Sequence, residues 1–496
     1  MGLVSCSAMR GLEEAAFRKG ATAEALMDQA GRGIGEALRR LVPGPGRAVA
    51  YLGRGNNGGD ALVALRVLAA AGWEIAVRCP FDPLELGALP ARKLRELGDL
   101  PVFRDPYIPG PPAGPLLLLD GLVGIGASGP LRDPLAAMAA EMNALRATAG
   151  AVVAAMDLPS GLDGDRGEPH AGAVTADLTL TVGVPKAGLV ADDATHHVGR
   201  LVVIPLAELP IPPDGDRLIV PGELAPLLPP RSFDMHKGDA GRVGIVGGSR
   251  GFLGAAILTA CGALRGGAGL VTLFIPEDLY PLVVSHGPPP ELMVRPVESY
   301  ADVRDHPLDV LAMGPGLGSV KKKRRLKLLG LLDNFAGPVV LDADGLNLVA
   351  AADAVDRLGS NVLVTPHPGE MDRLLPDHDD ANRAATARRF VRDHRPVLLF
   401  KGARTIVTAP GEALHYNPTG TPGMATGGQG DVLTGLLAAL MAQGLAPFDA
   451  ARCGAWLAGR ASELALATGR DSVQSLTATS TAAMIGAAFR DLQGRP

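Results

Sequence analysis

Residues 48–70 read AVAYLGRGNNGGDALVALRVLAA. A short apolar run, a glycine-rich turn and a long run of helix formers follow one another. This order predicts strand, loop and helix, the opening of a βαβ unit. Gly53, Gly55 and Gly58 spell G-x-G-x-x-G, the dinucleotide fingerprint. Yet Asn56, Asn57 and Asp60 stand where that fingerprint carries small or apolar residues. A dehydrogenase would also want an acid about 20 residues on, at the end of the second strand, for the ribose. That strand, WEIAVRC (73–79), ends in Arg78, and Asp82 in PFDP reads as a turn residue. The ordinary cofactor reading is therefore poorly supported. A phosphate cradle fits better, with Gly58 and Gly59 allowing close backbone approach, and a plain glycine turn is the alternative.

Outward from this stretch the alternation continues. LLLLDGLVG (116–124), AVVAAMDLPSG (151–161), LTLTVGVPKAG (178–188) and RLVVIPL (200–206) read as strands of a mostly parallel sheet. A proline-dense stretch at about 207–235 is expected to continue neither sheet nor helix, and is read as a linker. A second α/β series then opens. RVGIVGG (242–248), LVTLFIP (270–276), DVLAMGPGLG, PVVLDADGLN, NVLVTPHPGE and PVLLFKGA each break from an apolar run into Gly, Pro or Asp, and 405–417 predicts a hairpin turning at PGE. With 496 residues two domains are expected. The expectation is 1–212 for the first and 222–496 for the second.

The net charge of −5 supplies no basic field for nucleic acid. The one dense basic run, KKKRR (321–325), reads as a solvated helix face. No apolar stretch is long enough for a bilayer, and the four separated cysteines read as reduced thiols of a cytoplasmic protein.

In open α/β sheets ligands bind beyond the carboxyl ends of the strands, and there the polar residues cluster. In the first half, Asn57, Asp120, Asp157 and Ser160 bring amide, carboxylate and hydroxyl oxygens that could hold a hard monovalent cation beside a diphosphate. Each alone is also a turn or cap residue. Asp157 and Lys186, both just past strands, could transfer protons on two faces of a carbon. In the second half GGQGD (427–431) opens a helix whose amides suit a developing phosphate charge. Asp431 is placed beside that charge, with a helix N-cap as its ordinary alternative. KGART (401–405) suits a nucleotide's phosphate or ribose, and His367 is either a ligand contact or a buried, satisfied histidine.

LMDQAG (26–31), GRGNNGGD, Asp120 with GIGASG (124–129), MDLPSGLDGDRG, HKGDAGRVGIVGGS, GPGLG (314–318), LDADGLN, TPHPGE, KGART and GMATGGQGD occur in this order. As an ordered set they resemble the bifunctional NAD(P)H-hydrate repair enzymes of bacteria, nearly end to end. The resemblance implies an α/β chain with an N-terminal Rossmann-like, three-layer α/β/α epimerase domain and a C-terminal ribokinase-like α/β dehydratase domain. It implies that Asn56, Asn57, Gly58, Gly59, Asp60, the segment Gly124, Ile125, Gly126, Ala127, Ser128, Gly129, Pro130, and Asp157 hold the hydrated dinucleotide. Asn57, Asp120 and Ser160 would hold K+. In the dehydratase, Ala256, Gly316, His367 and Asp431 would line the hydrate site. Lys401, Gly402, Ala403, Arg404, Thr405 and Gly430 would bind ADP, with Mg2+ entering beside it. The implied partners are hydrated NADH or NADPH and ADP, with no nucleic acid or membrane, in a homo-oligomer such as a tetramer. Departures from the family pattern stand at Asp28 (usually Glu), Ala61 (usually Gly), Ala458 (usually His) and LTATSTAAM (476–484).

The implied activity is epimerisation of the R and S hydrates, and dehydration of the S form to NAD(P)H with ADP converted to AMP and phosphate. Catalysis falls to Asp157 and Lys186 in one half and Asp431 in the other. The rival readings are a vitamin-precursor kinase with an accessory nucleotide-binding domain, and a non-enzymatic sensor of a nicotinamide derivative.

Overall fold

The computed structural model describes residues 1–494 except 109, 111–113, 320 and 377–381. It divides into two compact units, Met1–Gly215 and Asp216–Pro496.

The first unit carries seven strands: β1 (Arg47–Leu52), β2 (Glu74–Arg78), β3 (Val102–Phe103), β4 (Leu116–Gly121), β5 (Val152–Met156), β6 (Leu178–Val182) and β7 (Arg200–Ile204). They run parallel in the order β3-β2-β1-β4-β5-β6-β7. Side chains alternate across a strand, and the core divides accordingly. Ala48, Ala50 and Leu52 face a cluster with Ile34, Leu62 and Leu65. Val49 and Tyr51 face another with Met138 and Met142 of the helix Leu135–Ala149. This is a three-layer α/β/α, Rossmann-like arrangement. The strand order reverses between β1 and β4, so the crevice at their carboxyl ends lies between the GRGNNGGD loop and Asp120.

The second unit holds β8 (Arg217–Leu218), β9 (Arg242–Val246), β10 (Leu270–Pro276), β11 (Met293–Val297), β12 (Val310–Met313), β13 (Val339–Leu341), β14 (Val362–Val364), β15 (Val397–Phe400), β16 (Ile406–Thr408) and β17 (His415–Tyr416). The order is β11-β10-β9-β12-β13-β14-β15-β16-β17-β8. The sheet is parallel from β11 to β15, and the expected hairpin appears as the antiparallel β16–β17 pair. Its switch point lies between β9 and β12.

The proline-dense stretch corrects the expectation placed on it. Arg217 and Leu218 form an edge strand paired with β17, the helix Pro221–Leu224 follows, and Ile219 and Leu224 are buried in the second core. Prolines flank these short elements rather than interrupt them, which an edge strand tolerates. The KKKRR run behaves as expected: Lys321–Arg324 are exposed at the start of the helix Lys322–Asn334.

Candidate functional sites

In the first unit, Asn57 lies in the first turn of the helix Asn56–Ala70, which β1 feeds through the glycine loop. Its Nδ2 donates to the Val123 carbonyl at 2.9 Å. Asp120, at the end of β4, is wholly buried. Ser160 donates to it twice, from Oγ at 2.6 Å and from its backbone N–H at 2.8 Å. Burial nevertheless raises its pKa to about 6, and among the described residues no cationic side chain pairs with it. The amide, carboxylate and hydroxyl expected to share a cation are thus tied together through Val123, whose N–H also bonds Ser160 Oγ at 3.1 Å.

Asp157 follows β5 with a φ of 69°, a left-handed conformation unusual for a residue with a side chain. Val182 N–H donates to its Oδ1 at 2.9 Å and Thr181 Oγ1 at 3.3 Å. The fully buried Lys186 ammonium bonds the same oxygen, and donates to the Val182 carbonyl at 3.0 Å. The acid and the lysine, expected to act on two faces of a carbon, are thus bonded to each other. Asp60 is the second carboxyl of the site. Burial, then the charges of Asp157 and Glu13, raise its pKa well above the usual carboxylate range.

Several residues of this site carry no sequence signal. Glu13, on the helix Cys6–Arg18, is raised by burial and by Asp157. Val4 brackets Lys186, its N–H donating to the Pro185 carbonyl at 3.0 Å and its carbonyl accepting from Ala187 at 2.9 Å. Arg10 donates to the Ile125 carbonyl at 3.2 Å, inside the segment expected to touch the dinucleotide. That segment, Gly124–Pro130, is the loop after β4 beside Asn57.

In the second unit, Asp431 lies in the first turn of the helix Gln429–Ala442. It is not an N-cap: Gly428, with a φ of 93°, occupies that position without a side-chain cap bond. Burial, then the charge of Asp342, raises the Asp431 carboxyl to about 7, while Lys401 pulls it down. Beside it the amide of Gln429 is enclosed, and neither its oxygen nor its nitrogen finds a partner among the described residues. Two glycines seat this helix against the helix Leu253–Arg265. A Cβ on Gly435 would stand 1.8 Å from the Thr259 carbonyl oxygen, and one on Gly262 2.1 Å from that of Val432.

Lys401, just past β15, donates to Asp342 at 2.7 Å and lies 3.7 Å from Glu370. Gly402 and Ala403 are exposed and Thr405 is half-buried. Arg404, expected to face a phosphate, is instead 5% exposed, and its carbonyl accepts from Arg383 at 3.2 Å. Gly316 has a φ of 65° and packs on the Phe252 carbonyl. Ala256 is fully buried under Gly247 and Gly248, so it shapes the switch-point loop and presents no surface of its own. The alternative of a buried His367 is overturned: its side chain is 52% exposed, 3.5 Å from Glu370.

The departures fall on packing contacts. Asp28 joins the buried Lys93 at 3.0 Å, Ala61 and Ala458 are buried, and Thr477 in LTATSTAAM caps the last helix.

Fold and sites together define a two-domain α/β enzyme with a carboxylate-lysine site at the strand ends of each sheet. The family described as NAD(P)H-hydrate dehydratase matches residues 243–484, and that described as YjeF-related protein N-terminus matches 23–188. The bifunctional NAD(P)H-hydrate repair enzyme Nnr of Gloeobacter violaceus is 36% identical over 486 residues, covering 92% of this chain and 94% of its own. The Nnr of Coxiella burnetii is 35% identical (93% and 94%) and that of Escherichia coli 34% identical (92% and 88%). A solved ADP/ATP-dependent NAD(P)H-hydrate dehydratase from Bacillus subtilis, 27% identical, aligns with a TM-score of 0.49 over 56% of this chain and 98% of its own. The chain belongs to the bifunctional NAD(P)H-hydrate repair enzymes. It is an enzyme of two activities, an NAD(P)H-hydrate epimerase and a dehydratase, with a Rossmann-like N-terminal domain and a C-terminal α/β domain built on a mostly parallel sheet. Repair enzymes match along nearly the whole chain, which sets aside the vitamin-kinase and sensor readings.

Proposed function

We propose that the unit Met1–Gly215 epimerises the hydrate at the Asp157–Lys186 pair, and that the unit from Asp216 dehydrates its S form with Asp431 as general base. The observation that carries the second assignment is the Asp431 carboxyl: it caps nothing, and its pKa of about 7 matches the working pH of a base.

The hydrate bears a hydroxyl on C6 of the ring, beside the ring nitrogen. Asp431 accepts the hydroxyl proton as that oxygen attacks the terminal phosphorus of ADP, and the phosphorus–oxygen bond to AMP breaks. The amides of Gly428 and Gly430 and the Lys401 charge stabilise the transferring group. The nitrogen lone pair then expels phosphate from C6, and loss of the C5 proton restores the ring double bond. Mg2+ enters as counter-ion of ADP, as part of the substrate. The Gln429 amide, unpartnered among the described residues, supports a polar ligand at this helix head. Lys401, Gly402, Ala403, Thr405, Gly430 and the Arg404 backbone form the ADP side, and Gly316 and His367 the hydrate side.

In the epimerase, loss and return of the C6 hydroxyl inverts the carbon. Asp157, held by Lys186, handles the proton, and Asp60, raised and enclosed, is the neighbouring donor. The loops Asn56–Asp60 and Gly124–Pro130 hold the dinucleotide. A buried Asp120 carboxylate that has no cationic partner among the described residues, next to the hydroxyl of Ser160 and the amide of Asn57, fits K+. These residues would hold the ion, and it supplies positive charge for the diphosphate.

The unpaired thiols of Cys6, Cys79, Cys261 and Cys453 support a cytoplasmic setting. The exposed apolar side chains of Tyr280, Leu282 and Val284 support self-association. Among the described residues no helix is long and apolar enough to cross a membrane. Supplying racemic hydrate with ADP and Mg2+ tests both assignments together. The proposal expects full return of the nicotinamide absorbance; a stop at half would remove the epimerase.

A further inference from the structure

Asp342 directly follows β13, with its side chain 2% exposed. Its two oxygens serve two different elements. One accepts from Lys401 Nζ at 2.7 Å, just past β15. The other accepts from Thr434 Oγ1 at 2.8 Å, one turn beyond Asp431 on the same helix. Gly430 lies against this junction: a Cβ there would stand 3.4 Å from Lys401 Nζ and 3.7 Å from the Asp342 carboxylate. The next residue, Ala343, has a φ of 50°, a strained conformation that persists only where its surroundings over-determine it. A buried ion pair is weak evidence for stability, so the arrangement asks for another account.

We propose that Asp342 is a positioning residue of the dehydratase: it engages the Lys401 ammonium and anchors the helix of Asp431 through Thr434, which leaves the Asp431 carboxylate free to act as the base. This rests on the reading of Asp431 given above. The charged groups facing Asp431 are Asp342, Lys401, Asp344 and Glu370. Among the described residues the ion pairs of Lys401 are with Asp342 and Glu370. Without the Asp342 charge, Lys401 turns to Asp431 and a repelling neighbour is gone. Both changes favour the ionised base and weaken it as a proton acceptor.

The test follows ADP-driven dehydration against pH in the full chain, with Asp342→Asn, Thr434→Val and Asp431→Asn. Asp342→Asn is expected to cut kcat about ten- to a hundredfold and to move the acid limb of the profile down by roughly one pH unit. Thr434→Val keeps the charge but loses the anchor, so kcat falls several-fold while the limb stays in place. A parental limb in a folded Asp342→Asn variant would overturn the proposal, as would parental kcat in Thr434→Val. The second arm decides the matter alone if Asp342→Asn does not fold. Near-normal turnover by Asp431→Asn would instead sink the base assignment, whatever Asp342 does.

Discussion

Each unit sets an aspartate near a lysine that follows a parallel strand, but Asp157 itself follows a strand whereas Asp431 lies in the first turn of a helix, and the two pairs are wired differently. In the first unit Lys186 has no exposed surface and bonds Asp157 directly. In the second the lysine bonds a different carboxylate, Asp342, and Asp431 is left raised to about 7. The difference teaches that an Asp near a strand-end Lys does not by itself define a chemistry. In the first unit the carboxylate and its own lysine form one buried ion pair. A carboxylate whose lysine is engaged elsewhere becomes a free base near neutrality.

The largest expected effects are the losses that separate the two sites. Asp431→Asn should lower dehydration by about 10²–10⁴ and leave ADP binding by calorimetry and epimerisation by proton NMR near the parent. Asp157→Ala should do the reverse, abolishing epimerisation with dehydration of S hydrate within a few-fold. Equal loss of both activities in a folded variant would break the comparison. Next in size is the pH dependence. If Asp431 acts ionised, dehydration rises with pH around about 7, and a profile flat through that region would remove it as the base. Asp120→Asn should lower epimerase activity and abolish its response to K+ over Na+; an unchanged K+ response would place the ion elsewhere. The smallest effect is on stability. A raised folded-state pKa contributes stability that is fully present below the unfolded value and lost as pH rises through about 7. Asp431→Asn removes this loss, so it should melt at or above the parent temperature on the alkaline side, checked by thermal melts across pH.

The strand ends were legible because parallel strands buried on both faces read as apolar runs breaking into Gly and Asp, as in AVAYLG and PVVLDADG. The loops bearing Asn57, Asp120, Asp157 and Asp431 came with them. The pairing of charges was not legible. That Lys401 bonds Asp342 and Lys186 bonds Asp157 depends on which strands are neighbours, and spacing along the chain does not carry that. Arg404 is hydrophilic by type yet buried, and β8 hides between prolines because a two-residue edge strand has no period to read. Glu13 and Arg10 sit on an amphipathic helix whose polar positions look like solvent contacts until the fold lays them beside Asp157 and Ile125.

The claim of two independent sites has one direct measurement. Racemic hydrate, ADP and Mg2+ are supplied to Asp157→Ala, to Asp431→Asn, and to an equal mixture of both, while the nicotinamide absorbance is followed. The account predicts that the first stops at half recovery, the second recovers almost nothing, and the mixture goes to completion because each variant supplies the site the other lacks. A mixture that performs no better than Asp157→Ala alone, with both variants folded, would contradict it.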